Sequence, residues 1–330
     1  MKKINRTLLI GLGGAGKDIV TSVKRNYKES DSSLIEYLVI DTDLNDLKEE
    51  SLQKNELLHI GIQDPKKLID SNTLIQNWLP NEYMRYCNSI QYGSGQLRGM
   101  GRLALLPNYI SIKNLIKAKI QNLNDYQNIQ LGDLKEIEVI ICFSICGGTG
   151  SGIFLDVANI AKEYLNENGL INANILMPSI YDDKINQPIA KRRIFGNAYA
   201  SMRELDFFMS WRGWHKEPEY ILKMTANVDW KMYNHTSNGP FNNVYYYNNQ
   251  DNNNRHYQFQ DIIDIISTNI TNEKEELFDN KLSIFREHDR CREEYYGGRM
   301  GIQIYSIDKR ITQKMEDANF ELVSMTPNYN

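Results

Sequence analysis

Long apolar runs are absent from this chain of 330 residues, and none reaches the roughly 18 residues that a membrane-spanning helix needs. The N-terminus has no apolar stretch like that of a secretory leader, because residues 1–6 lead directly into a strand-like segment. Neither sign of charge dominates: the net charge is −4, so no basic field would attract nucleic acid. We therefore expect a cytoplasmic protein with no membrane or nucleic-acid partner.

Cysteine is also scarce, with only Cys87, Cys142, Cys146 and Cys291 in the whole chain. Cys142 and Cys146 lie in or beside an apolar segment, where a cysteine usually acts as a small core residue. No second ligand pair accompanies them at the spacing of a zinc site, and the five histidines show no ligand spacing. The sequence predicts reduced cysteines and no metal centre built from protein ligands.

What the sequence does contain is an alternation of short apolar runs and longer amphipathic stretches. This alternation is typical of a parallel sheet covered by helices, so we predict an α/β, Rossmann-like fold. The predicted strands are residues 7–10, 34–40, 57–60, 137–144, 171–177, 244–247 and 300–307. The predicted helices are 18–27, 77–87, a stretch from the glycine-rich segment 93–101 to 123, 151–164, 193–209 and 258–270, the last extending towards 288. Residues 208–238 show no clear period.

The first predicted strand ends in a glycine-rich loop, Gly11-Leu12-Gly13-Gly14-Ala15-Gly16, which precedes a helix. Glycines let the backbone approach a phosphate, and a helix N-terminus offers free N–H groups and a partial positive charge. The spacing fits a dinucleotide-binding fold with Asp41 as its acidic residue, so NAD is one alternative. A P-loop is another, but Asp18 stands where that loop needs Ser or Thr to hold Mg²⁺.

A second glycine-rich loop, Gly147-Gly148-Thr149-Gly150-Ser151-Gly152, follows the most apolar strand and opens a helix. Two such loops on separate strands of one sheet can hold a single polyphosphate from two sides, whereas a dinucleotide fold needs only the first. Thr149 and Ser151 could add hydroxyl donors to the backbone N–H groups. We therefore favour a nucleotide polyphosphate over NAD. We also expect a β-branched residue at Gly148 or Gly150 to place a Cβ where phosphate must approach.

The second loop resembles the G-G-T-G-[ST]-G motif of the tubulin/FtsZ superfamily. Other segments resemble that superfamily in the same order: the first glycine-rich loop resembles its first phosphate loop, Asp41-Thr42-Asp43 its N-T-D segment, and Gly93-Ser94-Gly95-Gln96 the loop nearest the γ-phosphate. Residues 99–108 and 197–205 are most similar to bacterial tubulin-like proteins that are neither FtsZ nor true tubulin. The resemblance is good over residues 5–210 and poor beyond them.

The resemblance implies a domain organisation and a ligand. It implies a nucleotide-binding domain of the tubulin/FtsZ GTPase type over residues 1–257, a long central helix over 258–290, and the start of a reduced or truncated second domain over 291–330. The implied ligands are GTP or GDP and Mg²⁺.

The resemblance also implies which residues contact each part of the nucleotide. The two glycine-rich loops would contact phosphates, Asp43 would contact the nucleotide or a Mg²⁺-bound water, and Arg98 or Arg102 would neutralise charge on the γ-phosphate. Guanine would be recognised after a later strand and on the central helix, where a carboxylate could accept its N1–H and N2–H groups. The implied contacts are Gly11, Gly13, Gly14, Ala15, Gly16, Asp43, Gly95, Gln96, Gly147, Gly148, Thr149, Gly150 and Ser151 for phosphate and Mg²⁺, Arg193 and Asn197 with neighbouring Arg192 for ribose, and Asn248 and Asp264 for the base.

Members of the superfamily hydrolyse GTP between subunits, where the next subunit donates an acidic residue from a loop after the central helix. No N-x-D-x-x-D-like segment follows the predicted central helix here, and Asp279 and Asp289 are weak substitutes. We therefore expect GTP binding and head-to-tail self-assembly, with at most slow hydrolysis at the subunit interface. The alternative is a non-polymerising nucleotide-binding module that switches a partner protein.

Overall fold

The computed structural model describes residues 3–27, 33–79, 83, 89–125, 133–166, 168–210, 239–250, 255–274 and 302–303. The strands are β1 (Lys3–Leu12), β2 (Ser33–Asp41), β3 (Leu57–His59), β4 (Asp133–Ser144), β5 (Leu170–Leu176), β6 (Asn243–Tyr247) and β7 (Ile302–Gln303). The α-helices are α1 (Gly13–Asn26), α2 (Pro65–Asp70), α3 (Thr73–Trp78), α4 (Arg98–Asp125), α5 (Thr149–Tyr164), α6 (Pro188–Ser210) and α7 (Phe259–Lys274).

The strands form one sheet in the order β3-β2-β1-β4-β5-β6-β7. Every neighbouring pair in that order is parallel. The chain moves outward from β1 through β2 to β3 and then returns to place β4 on the other side of β1. The predicted parallel α/β sheet is therefore confirmed, and its strand order has a switch point between β1 and β4.

Helices cover both faces of the sheet because its central strands are apolar on both sides. On one face, Leu8 and Ile10 of β1 are fully buried in a core that includes residues of α4, α5 and α6. On the other face, Leu9 packs with Ile19 of α1 and Ile263 of α7. Alternate residues of β1 thus belong to two separate cores, which fixes the orientation of the loop that follows it.

Several predicted boundaries differ from the observed ones. Helix α4 begins at Arg98, inside the glycine-rich segment, and α3 ends at Trp78, near where the predicted helix 77–87 should begin. Residues 80–82 and 84–88 of that prediction lie outside the described residues, as do 211–238 and the extension of the central helix beyond 274. Apart from β7, the same holds for the predicted second domain, 291–330, and for Asp279, Asp289, Cys87 and Cys291.

Cys142 and Cys146 are buried free thiols, as predicted for core cysteines. Burial raises the pKa of the Cys142 thiol to about 12 and also raises that of Cys146. No described helix combines the length and the apolar character that crossing a membrane requires.

Candidate functional site

The two glycine-rich loops meet at the carboxyl edge of the sheet. They follow β1 and β4, which are neighbours at the switch point of the strand order. Gly13 has a φ of +71°, which favours glycine, and a Cβ built on it would lie 3.3 Å from the backbone N of Gly150. Ligands of open α/β sheets bind at this edge beside the switch point, so the structure brings the two predicted loops to one site.

Both loops open into helices whose N-termini have no side-chain cap. Helix α1 begins at Gly13 and α5 at Thr149, and neither has a cap hydrogen bond from a side chain or an acidic residue in its first turn. Helix N-termini leave backbone N–H groups without intrahelical partners and carry a partial positive charge. Two such ends side by side form a site for an anion with more than one charged group.

The first loop is held in place by close backbone packing. A Cβ on Gly16 would lie 2.3 Å from the backbone O of Cys142 in β4, and one on Gly11 would lie 2.5 Å from the O of Gly16. Side chains cannot be accommodated at either position without moving backbone. These two glycines therefore pack the start of α1 against the sheet, and Gly13, Gly14 and Ala15 lie between them in the loop.

In the second loop, Cβ atoms built on the glycines would point in different directions. This corrects the expectation that a Cβ on Gly148 or Gly150 would lie where phosphate must approach. A Cβ on Gly150 would meet the backbone O of Leu12 at 2.9 Å, and one on Gly148 would meet Ser94 Oγ at 2.1 Å. Both Cβ atoms would therefore clash with other parts of the protein rather than with a bound phosphate. A Cβ on Gly147 would have no atom within 4 Å, so this is the glycine of the loop that faces open space.

A third element, the turn Ser94–Leu97, borders the second loop. The Leu97 N–H donates to the Ser94 carbonyl at 3.0 Å, and the two residues between them, Gly95 and Gln96, have φ values of +62° and +59°. Both central residues have positive φ in a type I′ turn, and a non-glycine residue there costs about 1–2 kcal/mol. The surrounding contacts must therefore compensate for the strain at Gln96.

The Thr149 hydroxyl connects these elements. It shares a hydrogen bond of 2.7 Å with the hydroxyl of Thr42, which follows β2, and one of 3.3 Å with the hydroxyl of Ser94. Ser151 instead donates its hydroxyl to the carbonyl of Gly147 within its own loop. The two hydroxyls that we predicted as ligand donors thus organise the loops in this structure.

Asp41 is a buried carboxylate at the end of β2, 2% exposed. Its Oδ1 accepts hydrogen bonds from the backbone N–H groups of Thr42 and Asp43. Its Oδ2 is buried and has no hydrogen-bond partner of ordinary geometry among the described residues, although the nearby Thr149 hydroxyl favours the ionised carboxylate. Burial raises the pKa of Asp41 to about 6, so the site contains a carboxylate that is costly to ionise.

Other carboxylates lie around the loops. Asp43 is partly buried and its Oδ2 would lie 3.4 Å from a Cβ on Gly93, the residue just before the third element. Asp46 approaches the first loop, with its Oδ2 2.8 Å from a Cβ on Gly14, and its Oδ1 pairs with Lys17 at 3.3 Å. Within the described ranges, no group of three or more His, Cys, Asp or Glu side chains is placed to hold a metal by itself.

Arg98 and Arg102 do not serve as free cations beside the loops, contrary to the expectation that one of them would neutralise a γ-phosphate. Arg98 is buried and donates to Glu204 Oε1 at 2.7 Å and to the Ser151 carbonyl at 2.9 Å. Arg102 is buried and paired with Asp156 at 3.2 Å. Both arginines are committed to ion pairs between α4 and the helices packed on it, because a buried guanidinium requires a partner.

Asn197 of α6 reaches the loops but donates to backbone. Its Nδ2 lies 2.8 Å from the carbonyl of Gln96 and 3.0 Å from that of Cys146. The structure therefore brings this predicted ribose residue to the site as a bridge between loops. Arg193 lies one turn earlier on α6 and is partly exposed.

The two predicted base contacts differ in position. Asn248 directly follows β6 and accepts a hydrogen bond from Ser179 Oγ at 3.3 Å, so it lies at the carboxyl edge as expected. Asp264 lies in the second turn of α7, is exposed, and accepts from Gln260 Nε2 at 3.0 Å.

An aromatic pair at the same edge was missed by sequence reasoning. Tyr181 follows β5 and Phe259 begins α7, and their ring centroids lie 5.7 Å apart. Lys184 Nζ lies 3.5 Å from the centroid of Phe259. The available signal was an aromatic residue, Phe259, at the second position of the predicted central helix.

Comparisons with known proteins agree with this architecture. The family model described as "Tubulin like" matches residues 8–316. Similar solved structures include a GTPγS-bound protofilament of CetZ2 from Haloferax volcanii (14% identity, 81% of this chain and 57% of that chain, TM-score 0.45). They also include a GTPγS-form protofilament of TubZ from Bacillus thuringiensis serovar israelensis (15% identity, 81% of this chain and 55% of that chain, TM-score 0.43). A third is an empty FtsZ dimer of M. jannaschii (17% identity, 82% of this chain and 55% of that chain, TM-score 0.41).

These structural matches are distant and concern the fold alone. The chain spans little more than half the length of each of the three. No curated protein matches it. The family model, in contrast, covers most of the chain, and the predicted membership of the tubulin/FtsZ superfamily is confirmed. The chain belongs to the tubulin-like family.

Proposed function

We propose that the site binds GTP or GDP with Mg²⁺, the phosphates lying across the two glycine-rich loops. The observation that supports this most strongly is the pair of uncapped helix N-termini, α1 and α5, with their loops in contact at the switch point. A nucleotide polyphosphate is an anion that can be held by both ends at once. NAD is the weaker alternative because a dinucleotide fold needs only the first loop.

Mg²⁺ is part of the proposal because the site itself carries negative charge. Asp41, Asp43 and Asp46 surround loops that would also hold a polyphosphate, and the Lys17 ammonium is already paired with Asp46. Mg²⁺ usually binds one or two carboxylates together with waters and substrate phosphates rather than a complete protein cage. Asp41, whose Oδ2 has no hydrogen-bond partner of ordinary geometry among the described residues, and Asp43 fit that role, and the cation would offset charge between carboxylate and phosphate.

The base would lie towards β5, β6 and the start of α7. Asn248 offers an amide there, and Tyr181 with Phe259 offers aromatic surface on which a purine can stack. We keep Asp264 as a proposed guanine contact, although it would have to be approached from the exposed face of α7. A site that hydrogen-bonds guanine N1–H and N2–H leaves its acceptors unpaired with adenine, so GTP should be preferred over ATP.

We further propose that copies of the chain assemble head to tail over the nucleotide, with slow hydrolysis at the interface. Two large apolar side chains beside the site support this: Leu44 is 41% exposed and Tyr92 is 66% exposed. They are adjacent, because Asp43 and Tyr92 form a β-bridge and the Leu44 N–H donates to the Gln91 carbonyl. Exposed apolar surface at the rim of a site is typical of a protein contact.

Assembly predicts that turnover rises faster than linearly with protein concentration, since a second copy must complete the site. Tyr92→Glu should keep GTP affinity while losing GTP-induced light scattering and turnover, because it places a charge in the contact. Ile110→Glu is the matched control: Ile110 is similarly exposed, 62%, but lies along α4. Specific activity that stays flat from dilute to concentrated protein would refute the interface mechanism. Binding without turnover or scattering would favour the switch module acting on a partner protein.

A further inference from the structure

One buried side chain links the turn Ser94–Leu97 to the second glycine-rich loop. Asn197 is 4% exposed, and its Nδ2 donates to the carbonyls of Gln96 at 2.8 Å, Cys146 at 3.0 Å and Gly147 at 3.3 Å. These acceptors belong to two elements that are distant in sequence. A single amide on α6 therefore bridges the turn and the loop, in addition to the hydrogen bond between the Ser94 and Thr149 hydroxyls.

The turn needs such support because Gln96 adopts a left-handed backbone with φ +59°. Strained residues persist only where their surroundings hold them, and such residues occur at ligand sites. Asn197 Nδ2 donates a hydrogen bond of 2.8 Å to the carbonyl of this strained residue. Asn197 thus restrains the residue that would otherwise relax.

We propose that Asn197 is a positioning residue that presents the turn to the third phosphate of a nucleoside triphosphate. The inference rests on the proposed function. The two helix N-termini supply donor groups for two phosphates, and the turn is a third element that borders the second loop at Gly148 and Thr149. Gly95 faces open space, so the backbone of the turn is accessible from outside. Asn197 acts through the turn and contacts no phosphate itself.

The test compares GTP and GDP affinities of wild type and Asn197→Asp by calorimetry with Mg²⁺. Asp has nearly the same shape but cannot donate to the three carbonyls, and its charge repels them. We expect GTP affinity to fall at least about tenfold while GDP affinity changes less than about threefold, because the strained turn depends on Asn197, whereas the second loop keeps the hydrogen bonds from Ser151 to the Gly147 carbonyl and from the Cys146 N–H to Ser144. A general structural defect would lower both affinities together.

Asn159→Asp is the matched control. Asn159 is also buried, 5% exposed, but its Nδ2 donates to the Leu155 carbonyl within its own helix, α5. The ratio of GTP to GDP affinity should stay at the wild-type value in this variant, whatever happens to its melting temperature.

A wild-type GTP to GDP ratio in folded Asn197→Asp would overturn the positioning role while leaving nucleotide binding intact. A wild type that binds neither nucleotide would remove the proposed function and this inference with it. Should Asn197→Asp fail to fold, wild-type hydrogen exchange decides: GTP, and not GDP, should slow exchange of residues 94–97. Equal protection by both nucleotides would overturn the inference.

Discussion

Gly147→Val should abolish measurable tight binding of GTP while leaving the fold intact. A Cβ on Gly147 meets no atom within 4 Å and the φ of Gly147 is not positive, so a Cβ at this position neither clashes nor strains the backbone. It instead fills the open space in front of the N-terminus of α5. If the phosphates lie there, affinity should fall at least roughly 100-fold, about 2.8 kcal/mol.

Two substitutions of different size at Gly147 can be compared with each other. Gly147→Ala should have a smaller effect than Gly147→Val, and both should melt near the wild-type temperature. Thr268→Val, on the exposed part of α7, is the control for adding apolar surface and should bind GTP normally. Wild-type GTP affinity in folded Gly147→Val would show that the open space at this loop is not the phosphate site.

Asp41→Asn should change how stability depends on pH in the nucleotide-free protein. Burial raises the pKa of Asp41 to about 6, whereas an unfolded Asp titrates near about 3.9. Between these pH values the folded state binds a proton that the unfolded state does not, so the free energy of unfolding decreases as pH rises. The loss is about 3 kcal/mol by pH 7 and does not grow further, because both states are then ionised.

Urea denaturation at pH 4.5 and at pH 7 measures this directly. Asn cannot titrate, so the free energy of unfolding of Asp41→Asn should lack the decrease that ionisation of Asp41 causes in the wild type. The variant should therefore become more stable relative to the wild type as pH rises from 4.5 to 7. Asp70→Asn, which removes an exposed carboxylate at the end of α2, is the control and should follow the wild type. The same pH dependence in Asp41→Asn and wild type would mean that ionisation of Asp41 does not destabilise the folded protein.

A cation-binding site would explain why a carboxylate that is costly to ionise is buried at this position. A carboxylate that costs stability when empty gains favourable interactions once a cation lies beside it, which is the role we propose for Asp41 with Mg²⁺. Stabilised Asp41→Asn should accordingly bind GTP more weakly. Stability and binding would then oppose each other at one residue.

The sheet and the two loops could be predicted from the sequence because their signals are local. Glycine spacing after an apolar run marks a strand-to-helix loop wherever it occurs, and both such loops are found at the carboxyl edge. Their contact depends on β1 and β4 being neighbours, which no local pattern encodes. The sequence therefore indicated that the two loops could hold one ligand, but not that their strands are neighbours.

The side chains that sequence reasoning misassigned depend on distant partners. Arg98 looked like a free cation next to a glycine-rich segment, but Glu204 on α6 pairs with it in the core. Likewise, a Cβ on Gly150 would meet the backbone of Leu12, which lies at the end of another strand. Spacing along the chain identifies which residues are near a site, whereas the direction of each side chain is decided by packing across elements.

The most direct test of the central claim is calorimetric titration of the wild-type protein with GTP, ATP and NAD in the presence of Mg²⁺. One polyphosphate held across both loops, with guanine recognised beside β6, predicts one GTP per chain, bound at least about tenfold more tightly than ATP, and no saturable binding of NAD. NAD bound more tightly than GTP, or no GTP binding at millimolar concentration, would contradict the account.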